Sequence, residues 1–137
     1  MEAKITASEF EERVASLTLG GFGPGLPRKR RDQRILLKSV AVHLGHGSSY
    51  SETEINDALQ SWIDGMGSGV RMDHVSLRRY LIDEGYVTRD AAGRTYEVCR
   101  SESLHSTFEL DVDDVDPLRV VRDARAEHAL RRRERAA

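Results

Sequence analysis

Apolar positions recur at three- and four-residue spacing through most of this chain, and near residue 86 the period shortens to two. Ser8 with Glu11 reads as a capping box, and Phe10, Val14 and Leu17 follow on one face, which predicts a helix over 9–17. GGFGPG at 20–25 ends it and reads as a flexible connector, so the first helix is expected to serve as an arm or packing brace. A second helical stretch is expected over 28–44, with Ile35, Leu36, Val40 and His43 or Leu44 inward and Gly45 and Gly47 as stops. Ser51 and Glu54 make another capping box, opening a helix whose stripe is Ile55, Ala58, Leu59 and Trp62. After GMGSG at 65–69, Asp73 is the expected cap of a fourth helix burying Leu77, Tyr80 and Leu81, with Gly85 just past its end.

From there YVTRD, a turn at Ala91-Ala92-Gly93, and RTYEV predict a β-hairpin. The expected fold is therefore mainly α with a small β-hairpin, a winged-helix-like arrangement of a three-helix core plus wing, with N- and C-terminal helical arms. Residues 100–116 read as an extended acidic linker. Asp116 as cap and Pro117 at the first helical position then start a helix over 117–134, with Leu118, Val121, Ala124 and His128 on its apolar side. The expected organisation is an N-terminal helix and connector at 1–25, a winged-helix-like domain at 26–99, the acidic linker at 100–116 and a C-terminal helical arm at 117–137.

Composition narrows the class. The 137 residues are 39% apolar and 32% charged with three prolines, which describes a folded, largely helical chain. No run approaches the roughly eighteen apolar residues that a membrane span needs. The first residues, MEAKITASEFEERV, lack the apolar core of a secretory signal, so a cytoplasmic location is expected. One cysteine, Cys99, excludes an internal disulfide and a cysteine-based zinc site. The net charge of −2 does not announce a nucleic-acid binder, but the charge is segregated. Arg28 to Arg31 and Arg131 to Arg135 are basic, whereas Glu109 to Asp116 is acidic.

Taken together, LPRKRRDQRILL, YSETEIN, DHVSLRRYLIDEGYVTR and GRTY resemble a bacterial family carried as a domain of unknown function. That domain occurs alone and as the C-terminal part of proteins assigned as winged-helix transcriptional regulators. The resemblance covers about residues 26 to 98, departs at Leu26 where the family tends to have an aromatic, and implies an association with transcription. It implies no catalytic residues.

The candidate chemistry lies in the arginines. With Leu77, Tyr80 and Leu81 inward, Arg79 points away from the core with Ser76, as a residue facing a DNA groove would, since arginine is the commonest contact to bases and phosphates. Arg78 lies on the flank, where an internal pair with Asp57, Glu54 or Asp83 competes with DNA contact. Arg89 and Arg94 flank the wing turn, and Arg28, Lys29, Arg30 and Arg31 form a cationic helix start, unfavourable for the helix dipole and so a second candidate phosphate contact. Glu52 and Glu54 lie two apart on a helix and do not face each other, and Asn56 is expected to hydrogen-bond a loop. His43 and His46 are separated by Gly45, and Asp111, Asp113 and Asp114 lack the glycine and terminal glutamate of a calcium loop, so no metal is expected. Cys99 reads as a small core residue. No nucleophile, phosphate-loop or dinucleotide motif is present in the sequence, and neither catalysis nor a cofactor is expected. The reading is DNA binding, with a homodimer through the terminal helices. The rival is a protein-interaction or ligand-sensing module on the same scaffold.

Overall fold

A computed structural model describes residues 3–104 and 106–137. Thr6, two residues earlier than expected, caps the first helix: its hydroxyl accepts from the Glu9 amide at 3.1 Å, and α1 runs Ala7–Gly20. The threonine wins over Ser8 because Ala7 and Ser8 are themselves helical, which moves the start back to place Phe10, Val14 and Leu17 in the core. Helix α2 (Arg30–Leu44) follows, then a short strand β1 (Ser49–Ser51), α3 (Glu52–Met66) and α4 (His74–Asp83). The hairpin β2 (Val87–Arg89) and β3 (Thr95–Val98) comes next, and α5 (Pro117–Ala136) closes the chain. The Ser51–Glu54 capping box is present with both bonds made.

The hairpin belongs to a three-stranded antiparallel sheet in the order β1-β3-β2. Tyr50 faces Tyr96 across one ladder and Arg89 faces Tyr96 across the other. Strand β1 is absent from the sequence expectation. It is three residues long and exists because β3, more than forty positions later, supplies its partner.

One hydrophobic cluster runs through the molecule. Ile35, Leu36, Ile55, Leu59, Trp62, Leu77 and Leu81 form its centre, and Tyr96 and Val98 close it from the sheet. The flanks enter the same cluster, correcting two sequence expectations. The segment 20–25 is held in place, with the Gly25 amide donating to the Arg71 carbonyl at 3.1 Å. Residues 100–116 are not an extended linker. They coil into 3-10 turns at Ser101–Leu104 and Leu110–Asp114 and bury Phe108, Val112 and Val115. Ile5 lies beside Phe108, its amide donating to Thr107 and its carbonyl accepting from Glu109, both at 2.9 Å.

That segment is also pinned by charge. Lys38 lies on α2 with its side chain 1% exposed, and its ammonium donates to Asp113 Oδ1 at 2.6 Å. His46 Nδ1 is 2.7 Å from the Cys99 carbonyl, which can only accept, so Nδ1 carries the proton and Nε2 accepts from Lys38 at 2.8 Å. The Phe108 ring lies 5.3 Å from the ammonium. Ser101 donates to the other oxygen of Asp113. A buried ammonium needs such saturation because its desolvation is otherwise uncompensated. The histidines of the expected H-x-x-H pair are thus separated in role: His46 braces Lys38, and half-buried His43 stays on α2, where burial lowers its pKa against the opposing charge of Asp116. Cys99 is half-buried, and burial raises its thiol.

Helix α5 starts on the expected cap, with Asp116 accepting from the Arg119 amide at 3.2 Å. Its first half packs through Pro117, Leu118 and Val121, and Arg125 donates to the Gly65 carbonyl at 3.1 Å. His128, expected on the packed side, is exposed, as is every residue from Ala126 onward. No helix among the described residues is long and apolar enough to cross a membrane.

Candidate nucleic-acid interface

The orientation of α4 follows from its ends and its stripe. Asp73 caps it, its carboxylate accepting from the Ser76 amide at 2.7 Å, a bond that holds the Asp73 carboxyl below the usual range. Leu77 and Leu81 are fully buried, which turns Val75 and Arg79 to the opposite side and leaves Ile82 on the flank, partly buried against the core. Arg79 is exposed. Ser76 is half-buried on the flank, with its backbone engaged by the cap.

Arg78 turns inward instead. Its side chain is 17% exposed, donates to Asn56 Oδ1 at 2.8 Å, and lies 3.6 Å from Glu52. Its guanidinium stacks over Tyr96 at 5.3 Å. None of the three carboxylates expected as partners is used. The helix-start segment YSETEIN supplies Glu52 and Asn56, so Asn56 is bonded to a side chain rather than to a loop. Arg78 therefore ties α4 to both α3 and the sheet. Arg78→Ala should lower stability by about 1–2 kcal/mol, the scale of a charge-assisted hydrogen bond with a cation–π contact. Arg79→Ala should stay within about 0.5 kcal/mol, as exposed positions do. Urea unfolding of the two variants checks the split.

The hairpin turn is built by Asp90. Its carboxylate accepts from the amides of Thr95 at 3.2 Å and Arg94 at 2.7 Å, which holds its pKa below the usual range. The hairpin presents Arg89 and Arg94 to solvent on either side of this turn. Arg89, Arg79 and the edge of Arg78 line one groove of about 260 Å³ with Val75, Ile82 and Asp83. The structure thus brings together three of the candidate arginines, with one carboxylate and two apolar side chains between them.

The basic block divides. Arg28 and Lys29 are exposed at the start of α2. Arg30 clamps Glu84 at the end of α4 with both guanidinium nitrogens and also donates to Gln33. This clamp holds the Glu84 carboxyl below its ordinary range. Arg31 grips Glu9 of α1 with two bonds of 2.7 Å. A cationic helix start unfavourable to the dipole is thereby offset by carboxylates from other helices, and two of the four residues read as phosphate contacts are braces. Arg71, exposed just before the α4 cap, escaped the sequence reading, although the Asp73 cap two residues later marks its place.

Fold and groove define a mainly helical domain with a small three-stranded antiparallel sheet, carrying arginines on one helix and one hairpin. The chain belongs to the family described as uncharacterized protein conserved in bacteria (DUF2087), whose model matches residues 25–98. No curated protein and no solved structure matches it. The matched span runs from just before α2 to the end of β3 and contains the whole groove.

Proposed function

We propose that this chain is a winged-helix protein that binds duplex DNA, with α4 in the major groove and the β2–β3 wing and the Arg28–Lys29 pair on phosphates. The observation that carries the reading is the common groove of Arg79 on α4 and Arg89 on the wing. The element order supports it: helix, strand, helix, helix and hairpin, with β3 central in the sheet. A recognition helix presents side chains to base edges while neighbouring cations fix its register on the backbone. Arg78, clamped to Asn56 and Tyr96, and the Arg30–Glu84 clamp would hold that helix at a fixed angle. The proposal places the protein in transcription, as its family resemblance implies.

Fluorescence anisotropy with mixed genomic DNA at about 50 mM salt should show binding that weakens steeply as salt rises. Arg79→Ala with Arg89→Ala should weaken it about tenfold and reduce the salt slope by about one, the share of the Arg89 phosphate contact. Absence of binding by the wild-type chain at low salt sinks the reading. The second reading, a protein-binding surface on the same scaffold, is favoured by Val75, 44% exposed in the middle of this groove, and by Asp83 beside it. On that reading the arginine pair would be silent towards DNA.

A further inference from the structure

The outer half of α5 and the groove beside its inner half carry opposite charge. Beyond Ala126 the helix stands clear of the body, with Leu130 53% exposed. Arg131, Arg132, Arg133 and Arg135 outnumber Glu127 and Glu134 there. Between α1 and the packed half of α5 lie two adjoining hollows walled by Glu11, Glu12, Asp114, Asp116 and Asp123. Among the described residues Arg119 is the one basic residue lining them, and Val120 and Ala124 give them an apolar floor.

The two features lie on one continuous helix face. At three- and four-residue spacing the strip Val120, Ala124, Glu127 runs on into Leu130, Arg131 and Arg135. We propose that two copies of this chain pair antiparallel through α5, each laying its exposed arm in the acidic groove of the other. Running the helices in opposite directions brings Leu130 over the apolar floor and sets Arg131 and Arg135 against the partner's Asp123, Glu11 and Glu12. The eleven residues from Ala126 to Ala136 span about 16 Å, enough to follow the groove along three helical turns. A two-fold axis makes the contact reciprocal, so one charge pattern is satisfied twice.

Within one copy these charges meet only in exposed pairs along α5 itself, Arg131 with Glu127 among them. Asp123 lies 3.8 Å from Arg119 and 3.7 Å from Arg122, and these side chains are all more than 60% exposed. Exposed pairs of this kind contribute little, so exchanging them for partners over an apolar floor costs little. The pairing leaves α4 and the wing untouched and does not depend on DNA binding.

Charge exchange tests it on the full chain. Analytical ultracentrifugation at about 50 mM salt and micromolar concentration should show a species of twice the 15.4 kDa chain mass, dissociating as salt rises. Glu11→Lys, Glu12→Lys and Asp123→Lys together, or Arg131→Glu with Arg135→Glu, should each weaken self-association at least about tenfold. Circular dichroism of the variants checks that the helices persist. Mixing the two variants should restore a dimer, because each altered arm then meets a groove of opposite charge. A wild-type monomer at low salt overturns the proposal, as does a dimer that survives either charge reversal. Monomeric variants that fail to recombine overturn the reciprocal pairing. Leu130→Asp, which leaves the charges of both walls in place, should also dissociate the dimer, and an unchanged mass would count against the apolar contact.

Discussion

Asp113→Ala should destabilise the protein by about 3 kcal/mol or more, because it leaves the Lys38 ammonium buried without its counter-charge. The remaining neighbours, His46 and the Phe108 ring, carry no negative charge and cannot replace the carboxylate. Lys38→Met fills similar volume without a charge and should cost distinctly less, since the stranded Asp113 still reaches solvent with 26% of its side chain exposed. Burial alone would raise the Asp113 carboxyl, but the hydrogen bonds from Lys38 and Ser101 and the Lys38 charge outweigh it and hold the pKa below the ordinary aspartate value. A depressed carboxylate stabilises the folded state above the unfolded pKa of about 3.9 and loses that contribution as pH falls through the folded value. Urea midpoints should therefore decline from about pH 4 downward in the wild type and decline less steeply in Asp113→Asn. Equal midpoints for Asp113→Ala and the wild type at neutral pH would remove the ion pair from the account of stability.

Gly69→Ala should be the most damaging single-methyl change, costing about 3 kcal/mol or more. A methyl group at Gly69 would sit 1.8 Å from the Thr18 carbonyl oxygen and 2.8 Å from its carbon. Both are backbone atoms at the end of α1, and Thr18 is itself held by its hydroxyl bond to Val14 at 2.6 Å. Neither side can yield without moving a helix, so α1 would have to separate from the turn after α3. Gly20→Ala is the matched control. It adds the same methyl near the same helix end into open space, and it should be neutral or slightly stabilising. Thermal unfolding of the pair separates steric contact from the general cost of losing a glycine. Similar melting temperatures for the two variants would refute the close approach.

How much of this was legible in the sequence depended on how locally each feature is determined. The caps at Ser51, Asp73 and Asp116 and the stripes of α3 and α4 concern neighbours within one or two turns, and they stand where the pattern put them. The division of Arg78 from Arg79 was legible for the same reason, since 100° of helical rotation separates adjacent side chains. The partners of Arg78 were not, because Tyr96 comes from a strand whose register only the folded sheet sets. Nothing in its local sequence singles out Lys38, whose partner Asp113 lies seventy-five positions away. Phe108, Val112 and Val115 were hidden among acids at spacings that follow neither helix nor strand, so their segment read as a linker. In the basic block the charge run was visible, but Glu9 and Glu84, which claim Arg31 and Arg30, lie on other helices.

The bridge between Ile5 and Phe108 has a consequence for how the chain is made. On a ribosome working at about 5–20 residues per second, Ile5 emerges several seconds before the strand-like partner it will lie against. Until then α1 has only part of its final surroundings, and its buried face of Phe10, Val14 and Leu17 stays partly open to solvent or to other chains. The helices and sheet of residues 25–98 have all been synthesised by that time, so the middle of the molecule can assemble first and the two ends close over it last. Synthesis pauses after residue 98 would prolong this open interval, during which the protein is most exposed to aggregation and proteolysis.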